Sequence, residues 1–218
     1  MEEKTPESRR VDKALKKTQI PEEMAGTGRR EKRYLMKIRH SAEQDFSRIM
    51  EIYSFARSFM AEHGNPNQWG PTGWPPEDLI HKDIREGRSY VCLNDEGNVI
   101  GTFFFTCGED IEPTYRDITD GAWLDDSPYG VVHRIASDRS EKGIGAFCIN
   151  WAYDQCGHLR IDTHGDNVVM QNLVRKLGFV HCGTIYVEED PYPRMAFEKS
   201  GSFPFMLNVV RSETEEKR

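Results

Sequence analysis

Ser137-Asp138-Arg139-Ser140-Glu141-Lys142-Gly143-Ile144-Gly145-Ala146 joins an alternating apolar run to a helical one. Tyr129–Ser137 before it reads as a strand, and Gly143–Gln155 repeats its apolar residues at helical spacing. Glycines at 143 and 145 let backbone N–H groups approach an anion without a Cβ in the way. The helix start adds its partial positive charge, and Lys142 and Arg139 add full ones. The chemistry suits a pyrophosphate cradle, and a tight strand-to-helix connection is the plainer reading of the same turn. It is not a Walker loop, which needs GxxxxGK[ST], nor a dinucleotide fingerprint, which needs three spaced glycines.

Outward from this turn the periods alternate. Downstream come a strand at Leu159–Thr163, a helix at Asn167–Leu177 closed by Gly178 as the C′ glycine, and strands near Val180–Val187 and Arg194–Lys199. Upstream, Met36–His40 reads as a short strand. Ser41-Ala42-Glu43-Gln44 reads as a capping box, with Ser41 as N-cap of a helix showing Phe46, Ile49, Met50, Tyr53, Phe59 and Met60 on one face. A loop rich in Gly, Pro and Trp spans Gly64 to Pro76, and Pro76 to Glu86 reads as a short helix. Ser89–Asn94 and Val99–Cys107 form a hairpin, and a long connector runs from Gly108 to Pro128. Strands paired first as a hairpin and later joined through helices imply a mixed sheet with helices on both faces, an α/β (α+β) domain.

Two segments in order carry a family likeness. The glycine turn is followed by Leu159-Arg160-Ile161-Asp162-Thr163-His164-Gly165-Asp166-Asn167, then Met170-Gln171-Asn172-Leu173 and Lys176-Leu177-Gly178-Phe179. This order resembles the GNAT superfamily of acyl-CoA-dependent N-acetyltransferases over residues 36 to 199. The resemblance implies a mostly antiparallel sheet in which Tyr129–Ser137 and Leu159–Thr163 form a splayed central pair. It implies that acetyl-CoA, as acyl donor and without a metal, lies against Ile135 and Ser137, with its pyrophosphate on Arg139, Glu141, Lys142, Gly143, Ile144, Gly145 and Ala146. Asn167 matches the asparagine that contacts the CoA arm. Two positions depart from the pattern. Ser140 stands three residues before the first glycine, where Arg or Gln is usual, and Val174 replaces a tyrosine that protonates the leaving thiolate.

N-acylation needs an uncharged amine beside the thioester and a proton for the departing sulfur. Alternation places Val131, His133 and Ile135 on one face of the split strand, which makes His133 the base expected from the pattern. A hydrogen-bonded core histidine is the plainer reading of the same residue. His164, with Asp162, ends the other splayed strand and is the second candidate. Trp69, Trp74, Trp123 and Tyr129 offer aromatic surface to an amine acceptor, and Tyr115 and the connector's aspartates add to it. The acceptor is read as a small-molecule or peptide amine. Protein N-terminal acetylation and a non-catalytic acyl-CoA-binding module are the alternatives.

Composition narrows the partners. Of 29 basic and 36 acidic residues in the 218-residue chain, ten and seven lie in residues 1–35, which leaves 19 and 29 in the body. An acidic body disfavours nucleic acid and anionic membranes. Five cysteines without a CxxC pair, no apolar run near 20 residues and no apolar leader point to a reduced, cytoplasmic setting. Residues 1–35 read as a charged, weakly ordered extension, 36–199 as the acyl-CoA-dependent domain and 200–218 as a tail. The tail's apolar stretch, Phe203 to Val210, is compatible with a homodimer.

Overall fold

A computed structural model describes residues 35–188 and 191–201. Of the expected extension and tail, all but Leu35, Ser200 and Gly201 lie outside the described residues, as does Phe203 to Val210. Among the described residues no helix is long and apolar enough to cross a membrane.

The elements are β1 (Lys37–His40), α1 (Phe46–Glu62, entered through a 3-10 turn at Glu43–Asp45), α2 (Glu77–Arg85), β2 (Ser89–Leu93) and β3 (Val99–Gly108). A connector with a 3-10 turn at Pro113–Tyr115 leads to β4 (Tyr129–Ser137). The chain ends with α3 (Ile144–Cys156), β5 (His158–His164), α4 (Val168–Lys176), β6 (Val180–Ile185) and β7 (Arg194–Ser200). The strands form one sheet in the order β1-β2-β3-β4-β5-β7-β6. Every neighbouring pair is antiparallel except β4 and β5.

Helices cover both faces, as the period alternation predicts. On one face Ile49, Ile52 and Tyr53 of α1 and Ile80 and Ile84 of α2 pack on Val91 and Ala136. On the other, Ile144, Cys148, Ile149 and Ala152 of α3 and Val174 of α4 meet Phe103, Phe105, Val132, Ile161 and Phe197. Each such aliphatic side chain contributes about 1.5–3 kcal/mol on leaving water. A third cluster, Tyr115, Tyr129, Val131, Ile185 and Ala196, seats the connector on the sheet. Phe59 and Met60, expected on the packed face of α1, line a cavity instead.

The capping box forms one residue later than expected. The Ser41 hydroxyl pairs with that of Ser89 at 2.8 Å, while the Ala42 N–H donates to Asp45 Oδ2 at 2.8 Å. Arg39 grips the same carboxylate at 2.6 and 2.9 Å, so the acid that closes the turn also ties β1 to it. The later helix ends follow the sequence signals. Gly143 opens α3 at φ +85°, and Gly178 follows α4 at φ +87° with its N–H on the Arg175 carbonyl. Asn167 caps α4, its Oδ1 accepting from the Met170 N–H at 3.0 Å.

Candidate active site

β4 and β5 pair only at Gly130–Leu159 and Val131–Arg160. Beyond Val131 the two strands part, although both continue. The cause lies in β4: Thr102 of β3 faces Ala136 and Phe104 faces His133, so β4 holds one residue more than β3 across this step. The extra residue is a bulge at Arg134, whose φ is +52°. Three contacts hold it there. The Tyr53 hydroxyl donates to the Arg134 carbonyl at 3.0 Å, Asp83 accepts from its guanidinium at 2.6 Å, and the guanidinium lies 4.5 Å from the Phe104 ring centre. Burial pushes the Tyr53 phenol up to about 12, so it remains a donor. Burial also raises the Asp83 carboxyl, against the opposing pull of Arg134.

The bulge corrects the alternation. Val131 belongs to the Tyr115 and Tyr129 cluster, whereas Ile135 packs against the cluster of Val132, Ile144 and Cys148. His133 and Ile135 therefore face opposite sides of the sheet.

The parted strands, the turn before α3, the end of α1 and the loop after it enclose a cavity of about 680 Å³. Its wall brings together Ile135, Ser137, Arg139, Glu141, Lys142, Gly143, Ile144, Gly145, Ala146 and Asn167, together with His133, Trp69 and Trp74. Residues separated by as much as 98 positions thus share one surface. In the turn, Asp138 Oδ1 accepts from the Ser140 N–H at 2.9 Å and hydroxyl at 2.6 Å, and its Oδ2 takes Arg48 at 2.6 Å. Ser140 is thus occupied in shaping the loop. Arg139 stands 4.0 Å over the Phe59 ring, placed by a positive φ of 59°. No atom lies within 4 Å of where a Gly143 Cβ would sit, so that glycine serves backbone conformation. At Gly145 a Cβ would come within 3.1 Å of Leu173, so that glycine serves close helix packing.

At another part of the wall His133 sits between two carboxylates. Its Nε2 is 2.9 Å from Glu112 Oε2 and its Nδ1 is 3.6 Å from Asp162 Oδ1. Glu112 Oε1 also accepts from the Thr114 hydroxyl at 2.7 Å and N–H at 3.3 Å. Burial alone would raise the Glu112 carboxyl, but the hydrogen bond and charge of His133, with the Thr114 contacts, bring it down to about 2. A carboxylate so held only accepts, so the proton on this contact belongs to His133 Nε2. Asp162 takes the Tyr115 hydroxyl at 2.8 Å and Arg194 at 3.3 Å. Burial first, then the Asp162 charge, keeps the Tyr115 phenol well above its ordinary range. Glu112 carries no motif; its partner lies 21 residues away, and only the connector's path makes the pair.

Three expected residues stand outside this wall. Trp123 donates its indole N–H to the Tyr115 carbonyl at 2.7 Å. Arg160 lies 4.4 Å over Trp123 and 4.0 Å over Tyr129. Both aromatics brace the connector. His164 is 4% exposed, and its Nδ1 accepts from the Asp166 N–H at 3.2 Å, which shapes the β5–α4 turn. Its neighbour Asp162 does face the cavity. Val174, at the position of the missing tyrosine, is fully buried in the core.

No family model and no curated protein matches this chain. Among solved structures, a GNAT-family acetyltransferase from Streptococcus agalactiae 2603 aligns at 29% identity over 77% of this chain and 96% of its own, with a TM-score of 0.69. The chain has the fold of the GNAT superfamily. A second GNAT-family acetyltransferase, from Listeria monocytogenes 4b F2365, shares this fold at 17% identity, 75% and 94% coverage, and a TM-score of 0.56. So does a protein from Corynebacterium glutamicum ATCC 13032 described as histone acetyltransferase HPA2 and related acetyltransferase, at 18% identity, 78% and 98% coverage, and 0.54. The seven-stranded, mostly antiparallel GNAT sheet with its parted β4–β5 pair is the architecture expected from the two sequence segments.

Proposed function

We propose that this chain is an N-acetyltransferase that moves an acetyl group from acetyl-CoA directly to a primary amine of a small molecule or peptide, within a ternary complex. The observation that carries the reading is one cavity joining the parted strands and glycine turn to a histidine between two carboxylates. The likeness to a GNAT-family acetyltransferase at 29% identity supports it. In this reading the working domain runs from about Met36 to Lys199.

The wall suits the donor. Past Val131, β4 has no strand partner on its β5 side among the described residues, which leaves main-chain groups for an amide-bearing arm. Asn65, Glu141 and Thr163 are among the polar residues that line the cavity. Acetyl-CoA supplies an acetyl group activated as a thioester. The turn from Lys142 to Ala146 offers N–H groups and a lysine to its phosphates.

The chain's own groups then handle the amine. Glu112 and Asp162 attract it as a cation, with Trp69 and Trp74 as aromatic wall. Because Nε2 already donates to Glu112, Nδ1 is the atom of His133 that accepts the amine's proton. The imidazolium so formed lies between two carboxylates, which stabilise it. It is also the acid this chain offers to the departing sulfur, since Val174 has no hydroxyl to give.

The test follows CoA thiol release with acetyl-CoA against a panel of amines, comparing wild type with His133→Ala. Wild-type turnover with loss of about 10²–10⁴-fold in the variant, at unchanged acetyl-CoA affinity, is the expected result. Turnover unaffected by the substitution removes His133 from the mechanism, and failure of the wild type to bind acetyl-CoA removes the reading.

A further inference from the structure

The cavity wall sorts by charge and by surface. Of its basic side chains, Arg134 is held by Asp83 at 2.6 Å and Arg194 by Asp162 at 3.3 Å, while Arg139 and Lys142 belong to the turn before α3. Among the described residues the end around His133 thus shows Glu112 and Asp162, and no lysine or arginine that lacks a carboxylate of its own. The apolar share of the wall comes from α1 and the loop after it: Phe55, Phe59, Met60, Trp69 and Trp74. Phe55 is exposed and the two tryptophans are half-buried, so all three present surface to a ligand. Trp69 is also fixed. Its ring stands edge-on to Tyr53 at 5.9 Å, and the Tyr53 hydroxyl holds the carbonyl of Arg134, the neighbour of His133. Beside it Gln68 accepts from Asn167 Nδ2 at 2.9 Å, which ties the same loop to the far side of the parted strands.

We infer that the acceptor is a small amine with an aromatic body and no carboxylate beside its nitrogen, and that Trp69 is the residue that selects the body. The inference rests on the acyl-CoA reading above and narrows its acceptor. An amine about 3 Å from His133 Nδ1 stands within about 7 Å of Asp162 Oδ1, because Nδ1 lies 3.6 Å from that oxygen. A carboxylate on the next carbon comes about as near. Two like charges about 6 Å apart, at an effective dielectric constant of about 20, cost about a hundredfold in affinity. Arg194, already shared with Asp162, offsets part of this, which leaves a discrimination of about tenfold against amino acids. An aromatic body meets the Trp69 ring, and a ring pair gains more than its buried area alone. The cavity of about 680 Å³ also takes the donor's arm, so the space left suits a body of about one or two rings.

The experiment measures kcat/KM with acetyl-CoA for 2-phenylethylamine, propylamine, phenylalanine and phenylalanine amide, each corrected for its fraction of free amine, in full-length wild type and Trp69→Ala. Trp69→Leu serves if the alanine variant melts early. In wild type, phenylethylamine and phenylalanine amide should exceed phenylalanine by at least about tenfold. Trp69→Ala should lower the ratio of phenylethylamine to propylamine about tenfold. Phenylalanine equal to or better than its amide overturns the charge argument and the class with it. A ratio that Trp69→Ala leaves alone takes the selection from Trp69 and overturns the inference as well. A wild type that binds acetyl-CoA and acetylates none of the four overturns the class while leaving the acyl-CoA reading in place. A wild type that does not bind acetyl-CoA defeats that reading and this inference together.

Discussion

Replacing Glu112 by glutamine keeps the shape of the side chain, leaves an oxygen for the two Thr114 donors and removes the charge that faces His133. The carboxyl is brought from an ordinary 4.5 to about 2 in the folded chain. That difference corresponds to on the order of 3 kcal/mol of stability. Because the folded value is the lower one, the contribution is fully present above about pH 4.5 and is lost as pH falls through about 2. The amide retains the Thr114 contacts, so Glu112→Gln is expected to cost about 2–3 kcal/mol near pH 5. The cost should shrink steadily below pH 4.5, to under about 1 kcal/mol near pH 2.5. Urea unfolding of both proteins at a series of pH values, down to the lowest at which wild type stays folded, measures this directly. Other carboxylates titrate in the same range, but the difference between the two proteins isolates this one. A cost that is the same at pH 3 and pH 5 refutes the reasoning, because it would mean that the folded carboxyl titrates as it does in the unfolded chain.

Two further substitutions test the frame around the site. At the bulge, Arg134 has φ +52°, so Arg134→Gly should be more stable than Arg134→Ala by about 1 kcal/mol, the reverse of the usual order in a strand; chemical denaturation of the pair decides it, and the ordinary order would deny the bulge. Glu198 is fully buried and accepts from His158 at 2.5 Å and Arg160 at 3.0 Å, so Glu198→Leu should cost about 3–5 kcal/mol by leaving Arg160 without its carboxylate; a loss under about 1 kcal/mol in thermal or urea unfolding would show that the Asp125 carbonyl, which accepts from Arg160 at 2.5 Å, and the two rings suffice to hold it.

What could be read beforehand was local. Helix and strand periods, and the glycines at 143, 145 and 178, each act within a turn or two of chain. The structure places them as expected. Ser41 failed as a cap because Ser89, 48 residues away, takes its hydroxyl and Asp45 does the capping. Trp123 and Tyr129 looked like an acceptor wall because aromatic residues in a connector read alike whether they meet ligand or a buried arginine. Glu112 was passed over because nothing near it in sequence marks it, and its meaning comes from His133 across the fold. The exchange of β7 into the place between β5 and β6 is likewise a long-range outcome, invisible to any period.

The parting of β4 from β5 is the feature on which the proposed function depends, and three neighbouring elements impose it. A bulge frees the carbonyl and side chain of the residue it displaces, and each must find a partner if it is buried. Here α1 supplies Tyr53 to the carbonyl, α2 supplies Asp83 to the guanidinium, and β3 supplies both the Phe104 ring and the unbulged register. The helices that cover one face of the sheet are thus also what holds β4 in its kinked course. A left-handed residue in a strand costs about 1–2 kcal/mol, and contacts from three elements offset it. His133 is the residue just before that kink. Its place between Glu112 of the connector and Asp162 of β5 therefore depends on the same clamp that opens the sheet. Loss of the clamp should disturb the cavity and the histidine's placement between the two carboxylates together, because a single backbone event creates both.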